Sequence, residues 1–441
     1  MKSARQVAYE ALYKIMKEGA YSNLILDGLF KDNPQLDDRD RAFVSNLVYG
    51  TLDNMILLDF NLDIYLNQPS SKLKPELHTI MLLGAYQILF MDKVPDSAAV
   101  NESVELAKKN KSKFAASLVN AVLRRVSENG LKAPDESDLS ISALSVRYSC
   151  PEWILQLWAD SYDIINAAAL ANEALKAPDV TIRVNTTVIK PDELIWRLAE
   201  EGVVSHLSDK CENALVVENC PGIENLEAYK QGLFHTQDIA SQLCVKVLNA
   251  KKDETVIDLC SAPGGKTFSI AEDMQNTGTV KAFDVYQSRV NLVFQGAKRL
   301  GLNNVFASLA DSSEYNANIG SADCVLCDVP CSGLGVIRRK PEIKFKSKSS
   351  IENLPNLQYK ILCVGSKYVK SGGRLIYSTC TLNPAENQLV CQRFLSEHSG
   401  FASVPVLPEI EGTRHGDFLT LMPHLNDCDG FFIAAFKKTD S

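Results

Sequence analysis

Long apolar runs are absent from this 441-residue sequence. A membrane-spanning helix needs roughly 18 or more consecutive apolar residues. The longest candidate, Ile80 to Met91, is shorter than this and contains Gly84 and Gln87. The N-terminus also lacks the apolar segment and cleavage site of a secretory signal. We therefore expect a cytoplasmic protein with no membrane segment.

An excess of positive charge is also absent. The sequence has 46 Lys and Arg residues against 54 Asp and Glu residues, which gives a formal net charge of −8. This balance argues against a protein that coats nucleic acid through its overall charge. It does not exclude a local basic groove.

Cysteine is too sparse for a scaffold held together by disulfides, with 12 cysteines in the whole chain. In a reducing compartment each cysteine is a buried small side chain, a metal ligand or a nucleophile. Hydrophobic residues make up 46% of the sequence, enough for buried cores. The length suggests about three domains.

Helical periodicity dominates the first part of the chain. Apolar residues recur at the spacing of one helix face in Ala4–Met16, Arg41–Tyr65, Leu77–Met91 and Ala98–Val126. The segment from Asn129 to Asp138 contains glycine, proline and acidic residues, which is typical of a linker. We therefore predict an all-helical domain over residues 1–135.

Strands and helices alternate after this linker. Residues 136–230 are predicted to hold a helix beginning at Pro151 and a small α+β subdomain with strand Val180–Asn185, helix Pro191–Glu201 and strand Ala214–Glu218. Residues 231–441 contain five apolar runs between helices: Glu254–Leu259, Thr279–Phe283, Asn304–Leu309, Asp323–Cys327 and Gly373–Ser378. This alternation predicts a doubly wound parallel sheet with helices on both faces.

A glycine-containing loop, Asp258–Thr267, joins the first of these strands to a helix. Small residues let a ligand approach the backbone, and the helix N-terminus offers free N–H groups. A Walker A loop is excluded because Cys260 stands where that motif requires glycine. A dinucleotide fingerprint is excluded because only Gly264 and Gly265 are present. A glycine turn without a ligand remains an alternative.

Two carboxylates follow the next two strands. Asp284 ends the second strand and Asp311 follows the third. In nucleotide-binding sheets an acidic residue at the first of these positions accepts hydrogen bonds from ribose hydroxyls, and Asp311 could meet an adenine amino group. Either residue could instead cap a helix. Together with the glycine loop, they favour a ligand that contains adenosine.

Two cysteines are predicted at the same edge of the sheet. Cys331 follows the fourth strand within Asp328–Gly333, and Cys380 ends the fifth within Ser378–Thr381. A zinc site that includes Cys324 and Cys327 is disfavoured, because residues three apart in a strand point to opposite faces. Those two cysteines are predicted to pack in the core.

These motifs together resemble a known family. Asp258–Thr267, Asp328–Cys331 and Ser378–Thr381 resemble the RNA cytosine-C5 methyltransferases of the Nol1/Nop2/Sun family, and the N-terminal region resembles the NusB RNA-binding domain. Further similar segments are Gly335–Pro341, Asn383–Asn387 and Asp429–Phe432. The resemblance extends over essentially the whole chain. It implies an all-α NusB-like domain, a small α+β subdomain of RNA-binding type and a Rossmann-like class I S-adenosylmethionine methyltransferase domain.

The resemblance also implies an activity and roles for individual residues. The expected reaction is methylation of C5 of a cytosine in 16S ribosomal RNA, at position 967, with S-adenosylmethionine as cofactor. Cys380 is expected to attack C6, Cys331 to assist release of the product, and Asp328 to contact the base edge or the cofactor. The expected cofactor-binding residues are Cys260, Ser261, Ala262, Pro263, Gly264, Gly265, Lys266, Asp284, Asp311 and Asp328.

The sequence leaves several alternatives open. The spacing of the two cysteines does not identify which one attacks. The substrate could be transfer RNA or another ribosomal RNA cytosine, since family members share the catalytic residues. A NusB-like RNA-binding scaffold without activity is a further alternative.

Two basic runs are candidate RNA contacts. The first contains Lys108, Lys109, Lys111, Lys113, Arg124 and Arg125, with no acidic residue between 108 and 125. The second, Arg338–Lys348, has six basic residues and Glu342, and begins just after the motif of Cys331. Basic side chains there would neutralise RNA phosphates, although a solvated surface is an alternative for the first run. The expected partner is 16S ribosomal RNA, free or in a partly assembled small subunit, bound by a monomer without a metal.

Overall fold

A computed structural model of the protein describes residues 2–19, 21–110, 113–218, 220 and 222–439. The chain forms two compact units. Unit 1 comprises Met1–Ala177 and Ile337–Lys348, and unit 2 comprises Pro178–Val336 and Ser349–Ser441. Within the described ranges, no helix is both long enough and apolar enough to cross a membrane.

Unit 1 is helical, as predicted for the N-terminal region. Its helices are α1 (Ala4–Glu18), α2 (Ser22–Asp32), α3 (Asp38–Asp53), α4 (Met55–Asp63), α5 (Pro75–Phe90), α6 (Asp96–Lys109), α7 (Ala116–Asn129), α8 (Ile141–Arg147), α9 (Glu152–Tyr162) and α10 (Ile164–Glu173). Ser3 caps α1 by accepting a hydrogen bond from the Gln6 N–H, and Gly19 ends this helix with a φ of 63°. Two of the predicted helical stretches are each divided into two helices.

The longest apolar segment of the sequence is the core helix of this unit. In α5, the residues from Thr79 to Gln87 are all buried. Pro75 stands at its first turn, where a missing N–H costs nothing. This apolar run therefore forms the centre of a helical core. Leu12 of α1 and Leu47 of α3 belong to the same core.

The second basic run also belongs to unit 1. Lys344 is 2% exposed, and its Nζ donates to the Asp53 carbonyl at 2.7 Å. Glu342 is also buried and accepts a hydrogen bond from the Ser22 hydroxyl at 2.9 Å. Burial lowers the pKa of Lys344. The expectation that this run as a whole neutralises RNA phosphates is therefore wrong for Lys344, which is a structural residue.

Unit 2 begins with a four-stranded antiparallel sheet. Its elements are β1 (Val180–Val184), α11 (Pro191–Glu200), β2 (Val204–Leu207), β3 (Ala214–Glu218), α12 (Glu227–Lys230) and β4 (Phe234–Thr236), and the strand order is β2-β3-β1-β4. The predicted strands β1 and β3 and the predicted helix α11 are confirmed. β2 and β4 were not predicted, because three or four residues carry too little alternation to be recognised.

A buried ion pair joins this small sheet to the rest of unit 2. Arg183 of β1 donates from Nε to Glu272 Oε2 at 3.1 Å and from Nη2 to Asp273 Oδ1 at 2.5 Å. The Arg183 and Glu272 side chains are 6% and 0% exposed. A buried charge is stable only while its partner is present.

The change Arg183→Met is therefore expected to be strongly destabilising, since it leaves Glu272 buried without its cation. We expect the free energy of unfolding to fall by about 3–5 kcal/mol in urea titrations. The control is Arg197→Met, which breaks an exposed pair with Glu200 and should cost less than about 1 kcal/mol. Equal stability losses in the two variants would contradict the conclusion that Arg183 and Glu272 form a buried ion pair that stabilises unit 2.

The remainder of unit 2 is built on one large mixed sheet. Its elements are α13 (Ile239–Leu248), β5 (Thr255–Asp258), α14 (Gly265–Asp273), β6 (Thr279–Asp284), α15 (Gln287–Leu300), β7 (Val305–Leu309), β8 (Ala322–Asp328), α16 (Leu354–Tyr368), β9 (Val369–Thr379), α17 (Gln388–Glu397), β10 (Phe401–Val404), β11 (Thr413–His415), β12 (Phe418–Leu421), α18 (Pro423–Asn426) and β13 (Phe431–Lys438). The strand order is β11-β12-β13-β9-β8-β5-β6-β7, and β10 pairs with β13. The five predicted strands, β5 to β9, form the parallel part.

The sheet differs from the prediction at one side. β13 lies antiparallel against β9 and carries β10 and β12 beside it. Because β13 is antiparallel to β9, the sheet is mixed rather than wholly parallel. The sequence analysis did not predict these C-terminal strands. The boundaries 1–135, 136–230 and 231–441 remain predictions.

Both faces of the sheet are buried. Cys324 belongs to the hydrophobic cluster on one face and Cys327 to the cluster on the other. The prediction that these two cysteines pack in the core on opposite faces is confirmed. The carboxyl ends of β5 to β9 all lie at one edge of the sheet, where an open α/β fold binds its ligands.

Candidate active site

The glycine-containing loop lies at this edge of the sheet, after β5. The Ser261 N–H donates to the Phe283 carbonyl at 2.8 Å, which joins the loop to the end of β6. Gly264 has a φ of 118°, and a Cβ at this position would approach the Phe268 ring to 2.2 Å. Only glycine fits there, which explains the first glycine of the pair.

Asp258 ends β5 beneath this loop and was not among the predicted site residues. It is 1% exposed, and its Oδ2 accepts a hydrogen bond from the Thr267 hydroxyl at 2.7 Å. Its Oδ1 is buried without a hydrogen-bond partner among the described residues. Burial is the main cause that raises the pKa of this carboxyl to about 7. The sequence signal that could have identified it is its place at a strand end next to the glycine loop.

The raised pKa of Asp258 predicts a pH-dependent stability difference. An aspartate whose pKa is higher in the folded state stabilises the fold at low pH, and this contribution is lost as the pH rises through about 7. Asp258→Asn stays neutral at every pH. Compared with the original protein at the same pH, we expect the free energy of unfolding of this variant to increase from pH 4 to pH 8 in urea titrations, which means that the variant gains relative stability. A difference that does not change with pH would contradict this.

Asp284 and Asp311 are brought to neighbouring strand ends. The Asp284 carboxylate accepts the Tyr286 N–H at 3.0 Å, and the Ala310 N–H donates to the Asp284 carbonyl at 3.1 Å. Asp311 follows directly and accepts the Ser313 N–H at 2.9 Å, a bond that lowers the pKa of its carboxyl. The two carboxylates and the glycine loop thus follow three adjacent strands, β5 to β7.

Lys266 links the glycine loop to the motif of Cys331. Its Nζ donates to Asp328 Oδ2 at 2.8 Å and lies 4.8 Å from the centre of the Phe431 ring. The Ser378 hydroxyl donates to Asp328 Oδ1 at 2.7 Å. Burial disfavours the charged form of Lys266, but neighbouring groups, Asp328 foremost, outweigh it and raise its pKa. Asp328 is therefore held between the first turn of α14 and the end of β9.

The two predicted cysteines lie in contact. Cys331 Sγ and Cys380 Sγ are 3.1 Å apart, and both side chains are partly buried. The pKa of the Cys331 thiol is raised, first by its hydrogen bond with Cys380, then by burial and by the charges of Cys380, Glu386 and Asp328. A group that holds its proton beside a second sulfur can donate a hydrogen bond to it. This geometry allows one thiolate with a neighbouring proton donor.

Two glycines fit closely against these cysteine loops. The Gly335 N–H donates to the Cys380 carbonyl at 3.0 Å, and the Gly430 N–H donates to the Gly335 carbonyl at 2.9 Å. A Cβ on Gly335 would lie 1.9 Å from the Gly430 oxygen. Gly335 and Gly430, each from a segment that the sequence comparison identified as similar to the family, therefore contribute to the backbone around Cys380.

The first basic run is only partly described. Lys108 is exposed and paired with Glu105 at 2.7 Å, and Arg124 and Arg125 are exposed on α7. Lys111 lies outside the described residues, as does the side chain of Lys113. Its role as an RNA contact stays a prediction. The described residues contain no group of three or more His, Cys, Asp or Glu side chains placed to hold a metal ion.

Family models match most of the chain. One described as 16S rRNA methyltransferase RsmB/F matches residues 245–437, and one for the NusB family matches residues 2–128. A third, for the ferredoxin-like domain of RsmF/B-like methyltransferases, matches residues 150–224. These matches agree with the helical N-terminal region, the small antiparallel sheet and the large mixed sheet.

Curated relatives match over nearly the full length. The chain is 37% identical over 444 residues to the probable ribosomal RNA small subunit methyltransferase B of Bacillus subtilis strain 168, covering 99% of both. It is 29% identical over 442 residues to the ribosomal RNA small subunit methyltransferase B of Escherichia coli O1:K1 / APEC, again covering 99% of both.

Solved structures share the fold. The crystal structure of PH0851 superposes with a TM-score of 0.83 at 25% identity, covering 98% of each chain. NSun6 from Pyrococcus horikoshii, solved with SFG, has a TM-score of 0.61 at 22% identity and covers 66% of this chain and 99% of its own. The second likeness concerns the fold alone.

Proposed function

Because this chain belongs to the ribosomal RNA small subunit methyltransferase B family, we propose that it methylates C5 of a cytosine in 16S ribosomal RNA, with S-adenosylmethionine as the methyl donor. The observation that carries the C5 chemistry is the 3.1 Å approach of Cys331 Sγ to Cys380 Sγ. Asp328, the Asp of the motif that contains Cys331, lies at the end of β8. Position 967 is the proposed target by family resemblance.

Cytosine C5 needs activation before it can accept a methyl group. A thiolate that adds to C6 converts the ring into an enamine, in which C5 is nucleophilic. After methylation, solvent water takes the C5 proton, and the electron pair of the broken C5–H bond re-forms the C5–C6 double bond while the C6–S bond breaks, which restores the aromatic ring and the cysteine thiolate. These reaction steps require one nucleophilic sulfur and, beside it, a group that can donate or accept a proton.

Cys380 is the proposed nucleophile and Cys331 the group that assists release. The raised pKa of Cys331 supports this division, since a thiol that keeps its proton can donate it to the sulfur 3.1 Å away. Asp328 is proposed to bind the N3/N4 edge of the cytosine and to polarise the ring. Lys266 and Ser378 orient its carboxylate.

The residues at the ends of β5 to β7 suit S-adenosylmethionine. The donor supplies an electrophilic methyl group. The loop from Cys260 to Lys266 would hold it beside the N-terminus of α14, Asp284 would accept hydrogen bonds from the ribose, and Asp311 would lie near the adenine. The fit is supported by Val285, an apolar side chain that is 53% exposed directly after Asp284, where it can cover one face of an adenine ring.

The target cytosine must leave any base stack to reach Cys380. We therefore propose that the substrate is naked 16S ribosomal RNA or a partly assembled small subunit in the cytoplasm, bound by a monomer. Methylation of mature small subunits in preference to naked RNA would contradict this part of the proposal.

Transfer of labelled methyl from S-adenosylmethionine to RNA tests the function. The purified protein is expected to label 16S ribosomal RNA, with the label recovered as 5-methylcytosine after digestion. Cys380→Ala should give none. Label in another nucleoside would contradict C5 chemistry, and label in transfer RNA alone would favour the alternative substrate. Binding of RNA without any label would favour an inactive scaffold.

A further inference from the structure

A buried carboxylate lies behind the two cysteines and has no role in the reaction described so far. Glu386 is 0% exposed and belongs to the Asn383–Asn387 segment that follows Cys380. Its Oε2 accepts the Ser332 N–H at 2.8 Å and the Gln358 Nε2 at 2.9 Å. Its Oε1 accepts the Ser332 hydroxyl at 2.5 Å and the Asn383 Nδ2 at 2.9 Å. The carboxylate is thus surrounded by neutral hydrogen-bond donors.

These bonds reach the residue that follows each cysteine. Because the Ser332 hydroxyl gives its proton to Glu386, the Thr381 hydroxyl, 2.7 Å away, must donate to Ser332 Oγ. Ser332 follows Cys331, and Thr381 follows Cys380. A single chain of hydrogen bonds therefore runs from the loop of Cys380 through the loop of Cys331 to Glu386.

Neighbouring groups secure each loop on its other side. Gln358 donates to the Pro330 carbonyl at 2.9 Å as well as to Glu386, so Cys331 is held by the residues before and after it. Asn387 accepts the Thr379 hydroxyl at 2.6 Å and donates to the Thr381 carbonyl at 2.9 Å, so Cys380 is held in the same way.

The chemistry of this site requires a carboxylate. Burying a charge is costly unless hydrogen bonds satisfy it, and the donors around Glu386 do so. An amide of the same shape would turn its own N–H groups toward two of those donors. The four hydrogen bonds described for Glu386 are all accepted by its oxygens, which a carboxylate satisfies and an amide does not.

We propose that Glu386 is a positioning residue for the methyl-transfer reaction, whose carboxylate fixes the loops of Cys331 and Cys380 against each other and places a negative charge behind the Cys331 thiol. The proposal rests on the proposed function for its effect on turnover. Its effect on Cys331 itself belongs to the free protein and is independent of any RNA chemistry. The charge of Glu386 is one of the causes that raise the pKa of Cys331, after the Cys380 hydrogen bond, burial and the Cys380 charge.

The first test measures the Cys331 thiol in the absence of RNA and cofactor. Iodoacetamide labels the protein at a series of pH values, and peptide mass spectrometry reports the modified fraction of Cys331. The midpoint is the pH at which Cys331 is modified at half its maximal rate. In Glu386→Gln this midpoint is expected to fall by about one pH unit, because a nearby negative charge is lost. The control is Glu397→Gln, which removes an exposed glutamate of α17 bonded to Arg393 and should leave the midpoint and activity unchanged.

The second test measures release of the product. Glu386→Gln is expected to turn over about 10- to 100-fold more slowly, since a small displacement of reacting groups has effects of this size. The fraction of enzyme held as an SDS-stable RNA adduct should rise. Ser332→Ala breaks the chain of hydroxyl groups but keeps the charge, so it should raise the adduct fraction and leave the Cys331 midpoint near its original value.

A folded Glu386→Gln protein, with its original melting temperature, that shows an unchanged Cys331 midpoint or an unchanged adduct fraction overturns the proposal. Should that variant not fold, Ser332→Ala decides, and an unchanged adduct fraction overturns it. Failure of the proposed function would look different, because the original protein would then form no adduct and no 5-methylcytosine. In that event, the alkylation midpoint alone decides the role of Glu386.

Discussion

Cys331→Ala is expected to accumulate a covalent protein–RNA adduct that survives SDS, whereas Cys380→Ala forms none. The reason lies in the order of the chemical steps. Without the Cys380 thiolate, no bond to C6 forms and C5 stays unreactive. Without Cys331, the bond forms and the base is methylated, but the group next to Cys380 Sγ that assists elimination is missing. Both variants should lose turnover, on the order of 10³-fold or more.

The measurement is gel electrophoresis of labelled RNA after incubation with each variant and S-adenosylmethionine. Cys363→Ala is the matched control, since Cys363 is another partly buried free cysteine, located on α16. It should behave as the original protein does. An adduct in Cys380→Ala, and none in Cys331→Ala, would show that the two roles are reversed.

Asp328→Asn is expected to have the second largest effect. The carboxylate accepts from Lys266 Nζ and from the Ser378 hydroxyl, so an amide there removes the counter-charge of Lys266 and keeps only one of the two accepting oxygens. We expect kcat to fall by about 10²- to 10³-fold at saturating RNA, as for other groups that stabilise charge in the transition state.

The control for this change lies on the same strand. Asp323, near the start of β8, pairs with Lys370 at 2.9 Å away from the site, so Asp323→Asn should keep its activity. Steady-state methyl transfer and cofactor binding are measured for both variants. Equal activities would contradict a role for Asp328 in the reaction, and a loss confined to cofactor binding would assign it to the cofactor instead.

The sequence was most informative where a pattern is local. The strands β5 to β9 were predicted because each contains a short, mainly apolar run, and Cys324 and Cys327 were assigned to the core by their separation within one strand. The contact of Cys331 with Cys380 was predicted only as a shared edge of the sheet. Its 3.1 Å distance depends on loops whose shape no local pattern encodes.

The features that the sequence analysis did not predict depend on contacts between residues far apart in the chain. β13 attaches to β9 from more than fifty positions along the chain, and its antiparallel direction has no sequence signature of its own. Lys344 was interpreted as a phosphate contact because charge is normally exposed, yet it is buried against the Asp53 carbonyl. Glu386 lies in a segment that resembles the family, but the sequence did not predict a role for it. Its hydrogen-bond donors come from three separate parts of the chain.

Bisulfite sequencing of ribosomal and transfer RNA tests the central claim most directly, using cells with and without this protein. We predict one protected cytosine in 16S ribosomal RNA that loses its protection when the protein is absent and regains it with the original sequence but not with Cys380→Ala. Identical protection of every ribosomal cytosine in the two strains would contradict the claim that this protein is a 16S ribosomal RNA cytosine-C5 methyltransferase.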